Sequence, residues 1–99
     1  MYSHSGIMNI DNSPVKIRMN KTQYSSFIII TNIDTVSITI NLYKYIKSNN
    51  DNINIIPLDT VLAVKESFII PDKIIFNENT SIIISSTGTA CYDINLFSV

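Results

Sequence analysis

Chemistry in a short chain needs a nucleophile, a base or a set of ligands, and this sequence offers few candidates. Its single cysteine is Cys91 and its single histidine is His4. A Cys–His nucleophile requires the base within hydrogen-bond reach, and a third group to hold that base. The two residues lie near opposite ends of the chain, and His4 sits in a polar stretch. Cys91 therefore reads as a small strand residue and His4 as a solvated one. The acids Asp34, Asp59, Glu66, Asp72 and Glu78 each fall in an expected turn, where a carboxylate serves its local backbone. A glycosidase-like pair would need two of them to meet across a cleft, for which a chain of 99 residues with 15% charged side chains has little room. The run Ser48-Asn49-Asn50-Asp51-Asn52 lacks the further carboxylates, the fixed Gly and the closing Glu of a calcium loop. Gly6 and Gly88 are the only glycines, so there is no glycine-rich phosphate loop. Tyr43 and Tyr45 share one face of an expected strand, as a sugar or peptide platform or as interface packing. Nothing here leads us to expect a catalytic residue, a metal or a cofactor.

The composition narrows the remaining classes. Net charge is −1, and the linear sequence shows no basic cluster. Binding to nucleic acid needs several phosphate-neutralising Lys or Arg on one face, so no nucleic-acid partner is expected. A lone cysteine excludes a disulfide-stapled scaffold. No apolar run approaches the ~18 residues of a membrane span, and the N-terminal residues lack the basic and apolar regions of a signal peptide, so no membrane partner is expected. Charged residues are scarce, and Asn, Ser and Thr carry the polar share instead. Few charges protect poorly against association, which suits a chain partly covered by other chains, although an AT-rich genome would produce the same surplus of Ile and Asn.

The elements that must position any site are strands. Val36, Ile38, Ile40 and Leu42 alternate with Ser37, Thr39, Asn41 and Tyr43, giving one apolar and one polar face. Phe27-Ile28-Ile29-Ile30 is apolar on both faces, as in a strand covered on both sides. These segments, 24–31 and 36–47, are expected to form one long hairpin through Asn32 and Asp34. Residues 81–86 and 90–99 are expected to close the domain as a second hairpin, with Gly88 at positive φ. No window has helical periodicity, and β-branched residues abound. The whole reads as one all-β domain, a small β-sandwich, Ig-like or jelly-roll-like, of seven to nine short antiparallel strands over residues 14–99. Residues 1–13 are polar and irregular, and are expected to form a flexible N-terminal arm, either a frayed terminus or a segment that orders on a neighbouring subunit. Ile7, Met8 and Ile10 would anchor it there. With Tyr43, Tyr45 and Phe97, which stands on an otherwise polar strand face, they make up the expected assembly contacts.

Three blocks carry a family resemblance. Ile28-Ile29-Ile30-Thr31-Asn32-Ile33-Asp34, followed by the alternating segment from Val36 to Tyr43, resembles the "strand, T-N-x-D/S, strand" opening of small β-sandwich accessory proteins of tailed bacteriophage virions. Ile55-Ile56-Pro57 and then Leu62-Ala63-Val64-Lys65-Glu66-Ser67 is similar to that group's "I-I-P … L-x-A-G-E-S" passage. The segment from Ile74 to Ile82, with Ser85-Ser86-Thr87-Gly88, is similar to its "L-x-L-x-x-G-D-x-I … S-S-x-G" ending. The resemblance covers about residues 24–99. Lys65 and Asn79 stand where the group usually has Gly, which implies different tight turns there. The resemblance implies a non-enzymatic structural protein of the virion, made in the host cytoplasm and built in as an auxiliary or decoration subunit of the capsid or as part of the head–tail neck. Its partners would be the major capsid protein or portal and neck proteins, and further copies of itself in a homo-oligomer. The alternative is a carbohydrate- or receptor-binding module of a virion fibre, motivated by Tyr43, Tyr45 and the loop 49–52. A small hydrolase would rest on Cys91 and the turn carboxylates alone.

Overall fold

A computed structural model describes residues 2–99. The strands are β1 Tyr2–Met8, β2 Val15–Arg18, β3 Gln23–Asn32, β4 Ile38–Ile46, β5 Asp51–Asn54, β6 Thr60–Leu62, β7 Ser67–Ile70, β8 Ile74–Phe76, β9 Thr80–Ser86 and β10 Ala90–Ser98, with no helix among the described residues. They form two five-stranded sheets on one plan. Sheet I runs β1-β10-β3, with β7 and β8 side by side along the far edge of β3; sheet II runs β2-β9-β4, with β5 and β6 along the far edge of β4. Every pairing is antiparallel. The fold is the all-β sandwich that alternation implied.

Between the sheets lies an isoleucine-rich core. Ile28, Ile30, Ile94 and Leu96 face inward from sheet I, and Ile38, Ile40, Leu42, Ile82 and Ile84 from sheet II; Met8, Met19 and Phe76 fill the ends. Each buried aliphatic side chain contributes about 1.5–3 kcal/mol by leaving water, and the period of two delivers them to a single layer.

Pairing departs from expectation in three places. β3 and β4 do not pair: β3 lies in sheet I against β10, β7 and β8, and β4 in sheet II against β9, β5 and β6. The supposed long hairpin is an arch from one sheet to the other. The same holds for β9 and β10, which also lie in opposite sheets, and Gly88 does not have positive φ. The third departure is at the N-terminus. Tyr2–Met8 is no loose arm but edge strand β1, paired with β10 from Tyr2↔Leu96 to Met8↔Ala90. The turn after it is stitched by its own side chains, Asn9 Oδ1 accepting from the Asp11 and Asn12 amides and Asn12 Oδ1 from the Asn9 amide.

Four arches, 9–14, 33–37, 63–66 and 87–89, cross between the sheets at one end of the sandwich. Asn32 ties two of these segments together. Its fully buried side-chain amide donates to the carbonyls of Val36, Leu62 and Ala63, at 2.9, 3.0 and 3.1 Å. Its backbone N–H donates to Glu66 O, and its carbonyl accepts from Lys65 N. Asp34 Oδ2 accepts from the Thr89 amide at 2.8 Å, and Asp34 Oδ1 from the Thr35 amide at 2.7 Å. Those backbone bonds hold the Asp34 carboxyl below its ordinary pKa. Ser13 Oγ accepts from Ser86 N and brings in the fourth arch. Gly88 is required for space rather than for φ. A Cβ there would sit 2.5 Å from the Ile38 methyl and 2.7 Å from Asp34 Oδ2, closer than packed atoms approach.

Candidate contact surfaces

His4 and Cys91 do not meet. In the β1–β10 register His4 lies opposite Ile94, an inward position, whereas Cys91 lies opposite Ile7 on the outer face. His4 lines a cleft of about 500 Å³ with Arg18, Met19, Asn20, Lys21 and Gln23, to which no carboxylate or thiol contributes among the described residues. Asp59 and Glu66 are each spent on local structure: Asp59 exchanges hydrogen bonds with the side chain of Asn41, and Glu66 accepts from the Ala63 amide. No group of three His, Cys, Asp or Glu that could hold a metal ion occurs among the described residues. The loop 48–52 runs from the end of β4 into β5. It is a turn in which Asn50 takes φ 55° and accepts from the Tyr45 hydroxyl.

The expected assembly contacts divide. Met8 is fully buried in the core; as the last residue of β1 it points inward, and it cannot dock on a neighbour. Ile7 and Ile10 are well exposed, at 62% and 70%, Ile7 on the outer face of β1 and Ile10 in the first arch. Phe97 lies on the outer face of sheet I, its ring stacked on Tyr24 at 5.3 Å between centroids. Tyr43 and Tyr45 share the outer face of sheet II but serve different clefts. Tyr43 lines one of about 300 Å³ with Asn41, Asn52, Asn54, Leu58 and Ser85. Tyr45 lines another with Lys16, Arg18, Lys47, Asn79 and Ser81, and Lys16 lies 5.3 Å from its ring centre.

A patch that sequence reasoning saw only in part is the outer face of β3, β7 and β8. Register places Ile29 beside Ile69, and Tyr24 beside Ile75 and Phe97. Phe27 faces outward between these two rows, past a β-bulge that restores its register with Asn95. Ile69 and Ile75 remain more than half exposed. The two-sided apolar run Phe27–Ile30 was the visible signal. Its partners on β7 and β8 were not, because nothing local shows that those strands pair with β3. The β1–β10 half of the same face is polar between its ends, with Ser3, Ser5, Asp93 and Asn95. Pro71 and Asp72 separate β7 from β8 at the sheet's edge, so a further strand cannot easily add there. A partner would meet the side chains of this face instead.

No family model matches the chain, and no curated protein matches it. Among solved structures it is similar to the Drosophila NLP core, whose crystal structure provides insight into pentamer formation and histone binding by that protein. The TM-score is 0.63 at 11% identity, covering 99% of this chain and 100% of that one. The likeness is one of fold.

Proposed function

We propose that this chain is a non-enzymatic structural subunit of a phage virion. It would act as a homo-oligomer, as an auxiliary subunit on the capsid or in the neck between head and tail. The observation that carries the reading is the apolar half-face formed by Tyr24, Phe27, Ile29, Ile69, Ile75 and Phe97. Contiguous apolar surface at this scale marks a contact site, and the polar β1–β10 half supplies the rim that surrounds an interface core. A standard interface takes about 800 Å² from each partner, an area that fits on a molecule 38 by 27 Å across. The occupant is a second copy of the chain, and repetition of the contact about an axis would close a ring. Pentamer formation by the Drosophila core, alike in fold, agrees with such a ring.

The backbone also agrees with the resemblance to phage accessory proteins. Lys65 and Asn79 stand where that group has Gly, and both take left-handed conformations, φ 65° and 68°. That region ordinarily favours Gly. A Gly at either position would meet that conformation without strain, which supports the reading.

Light scattering behind a sizing column tests the self-association, and labelling of assembled particles tests the location. The wild-type chain should run as one defined oligomer and bind capsids or necks. Ile69→Lys and Ile75→Lys should each yield folded monomers, whereas Val61→Lys, on sheet II, should not. A wild-type monomer with no affinity for any particle would overturn the proposal. A second reading, a fibre module that binds neutral saccharide, is favoured by the Tyr43 cleft, whose ring, Leu58 and amide groups suit a sugar face and its hydroxyls. Glycan-array binding lost in Tyr43→Ala would select it.

A further inference from the structure

The fold gathers cations that the linear sequence keeps apart. Lys16 and Arg18 point outward from β2, and Lys47 follows β4; between them runs β9, with Ser81 opposite Arg18 on one side and Tyr45 on the other. These residues and Asn79 line a pocket of about 170 Å³ to which no carboxylate contributes among the described residues. In a chain with only 7 Lys and Arg, three of them surround this one pocket. Like charges held together without a counter-charge repel one another, and an anion relieves that repulsion.

Ser81 supplies a second and independent observation. The residue is 4% exposed and is paired in register with Arg18 on one side and Tyr45 on the other, and its hydroxyl, with no partner inside the protein, opens into the pocket. The Tyr45 ring is fixed in place, its hydroxyl donating to Asn50 Oδ1 at 2.7 Å and Lys16 lying against its face. The pocket is thus lined by a tethered ring, a hydroxyl donor, a guanidinium and two ammonium groups.

We propose that this pocket binds a tetrahedral oxyanion, a phosphate or sulfate group, with Arg18 and Lys47 as its charged clamps, Ser81 as the buried donor, and Lys16 and Asn79 at the rim. A planar guanidinium can give two parallel N–H bonds to such an anion, and an ammonium acts as a point charge beside it. The pocket has room for one such group. Three cations are too few for the backbone of a duplex, where specific binders neutralise several phosphates along a face. The site is independent of the assembly reading, because it lies on sheet II and can be measured on the isolated chain.

The test is a titration of the full chain with inorganic phosphate, followed by amide resonances at constant ionic strength, with chloride as the control. Saturable shifts at Ser81, Asn79 and Lys47 are expected with phosphate and not with chloride. Arg18→Gln and Lys47→Gln should each weaken binding tenfold or more, and Ser81→Ala severalfold, while Lys73→Gln on sheet I changes nothing. A parallel titration with glycerol 3-phosphate separates the two sources of the group. Matching shifts assign an esterified phosphate, and their loss assigns the free ion. Shifts that do not saturate, that chloride reproduces, or that survive in the Arg18→Gln/Lys47→Gln double variant would overturn the site.

Discussion

The arch end of the sandwich and the outer face of sheet I are opposites. At the arch end most conspicuous residues are explained by the chain itself: Asn32 closes three carbonyls, Asp34 two amides, and Gly88 makes way for Ile38. On the outer face of sheet I, Ile69, beside Ile29, and Ile75, beside Tyr24, are each more than half exposed, and no contact within the monomer calls for them to be apolar. Residues of the first kind serve folding. Residues of the second kind are the ones that the proposed contact would account for. Substitutions should separate the two regions cleanly, the first read as stability and the second as association.

The largest effect is expected at Asn32. Asn32→Ala strands the carbonyls of Val36, Leu62 and Ala63 at a buried junction, and each unpaired buried group costs about 1–3 kcal/mol. A loss of roughly 3 kcal/mol or more should appear in urea unfolding, a large part of the stability of a domain this size. A loss below about 1 kcal/mol would mean that the arches hold without their central amide, since that is the ordinary worth of one exchanged hydrogen bond.

Gly88→Ala should come next. The new methyl would have to displace either the Ile38 side chain, which is in the core, or Asp34, which holds Thr89. Overpacking of this kind costs about 1–3 kcal/mol. Because φ at Gly88 is not positive, the loss should be recovered in part by Gly88→Ala combined with Ile38→Leu, which lacks the γ2 methyl that the new group strikes. A turn that needed Gly for its dihedral would show no such rescue.

These two residues also show what was legible in advance. Alternation marked the apolar faces of β4 and β10, because the period of two is written in the side chains themselves. It could not say which strand pairs with which. A strand has the same pattern whether the next strand lies beside it or in the opposite sheet, so β3–β4 and β9–β10 read as hairpins. Asn32 and Gly88 were visible as turn residues, and their actual work, capping several segments and allowing close approach, depends on arches that are distant in sequence. β1 was missed for another reason. Its outward Ser3 and Ser5 and its inward His4 and Gly6 are polar or small on both faces, so no apolar period announced it. The inward Met8 was its one core signal. The basic pocket was hidden in the same way, since Lys16, Arg18 and Lys47 converge only when β2 and β4 flank β9.

Acid should weaken the arch end selectively. The Asp34 carboxyl has its pKa lowered chiefly by the Thr89 amide and then by that of Thr35. A group depressed in the folded state favours folding fully above its unfolded pKa, and that contribution disappears as pH falls through the folded value. The stability difference between wild type and Asp34→Asn should therefore be widest near neutrality and close as pH drops through and below the ordinary carboxylate range. A difference independent of pH would assign the role of Asp34 to shape rather than to charge.

The smallest expected effect sharpens the contrast most. Ile69 is 53% exposed, on a short strand at the sheet's edge, so its isolated-chain role is slight. Ile69→Thr keeps the β-branch that suits a strand and removes apolar surface that is already half in water. Measured at a dilution where the wild type is monomeric, its unfolding free energy should change by no more than about 0.5 kcal/mol, the usual range for surface positions. Measured where the wild type associates, the same change should lower the oligomer population clearly, because each copy would bring the hydroxyl into the apolar centre of the contact. If the monomer lost as much stability as it does with Gly88→Ala, Ile69 would belong to folding after all, and the distinction between the two regions would fail at the residue on which it most depends.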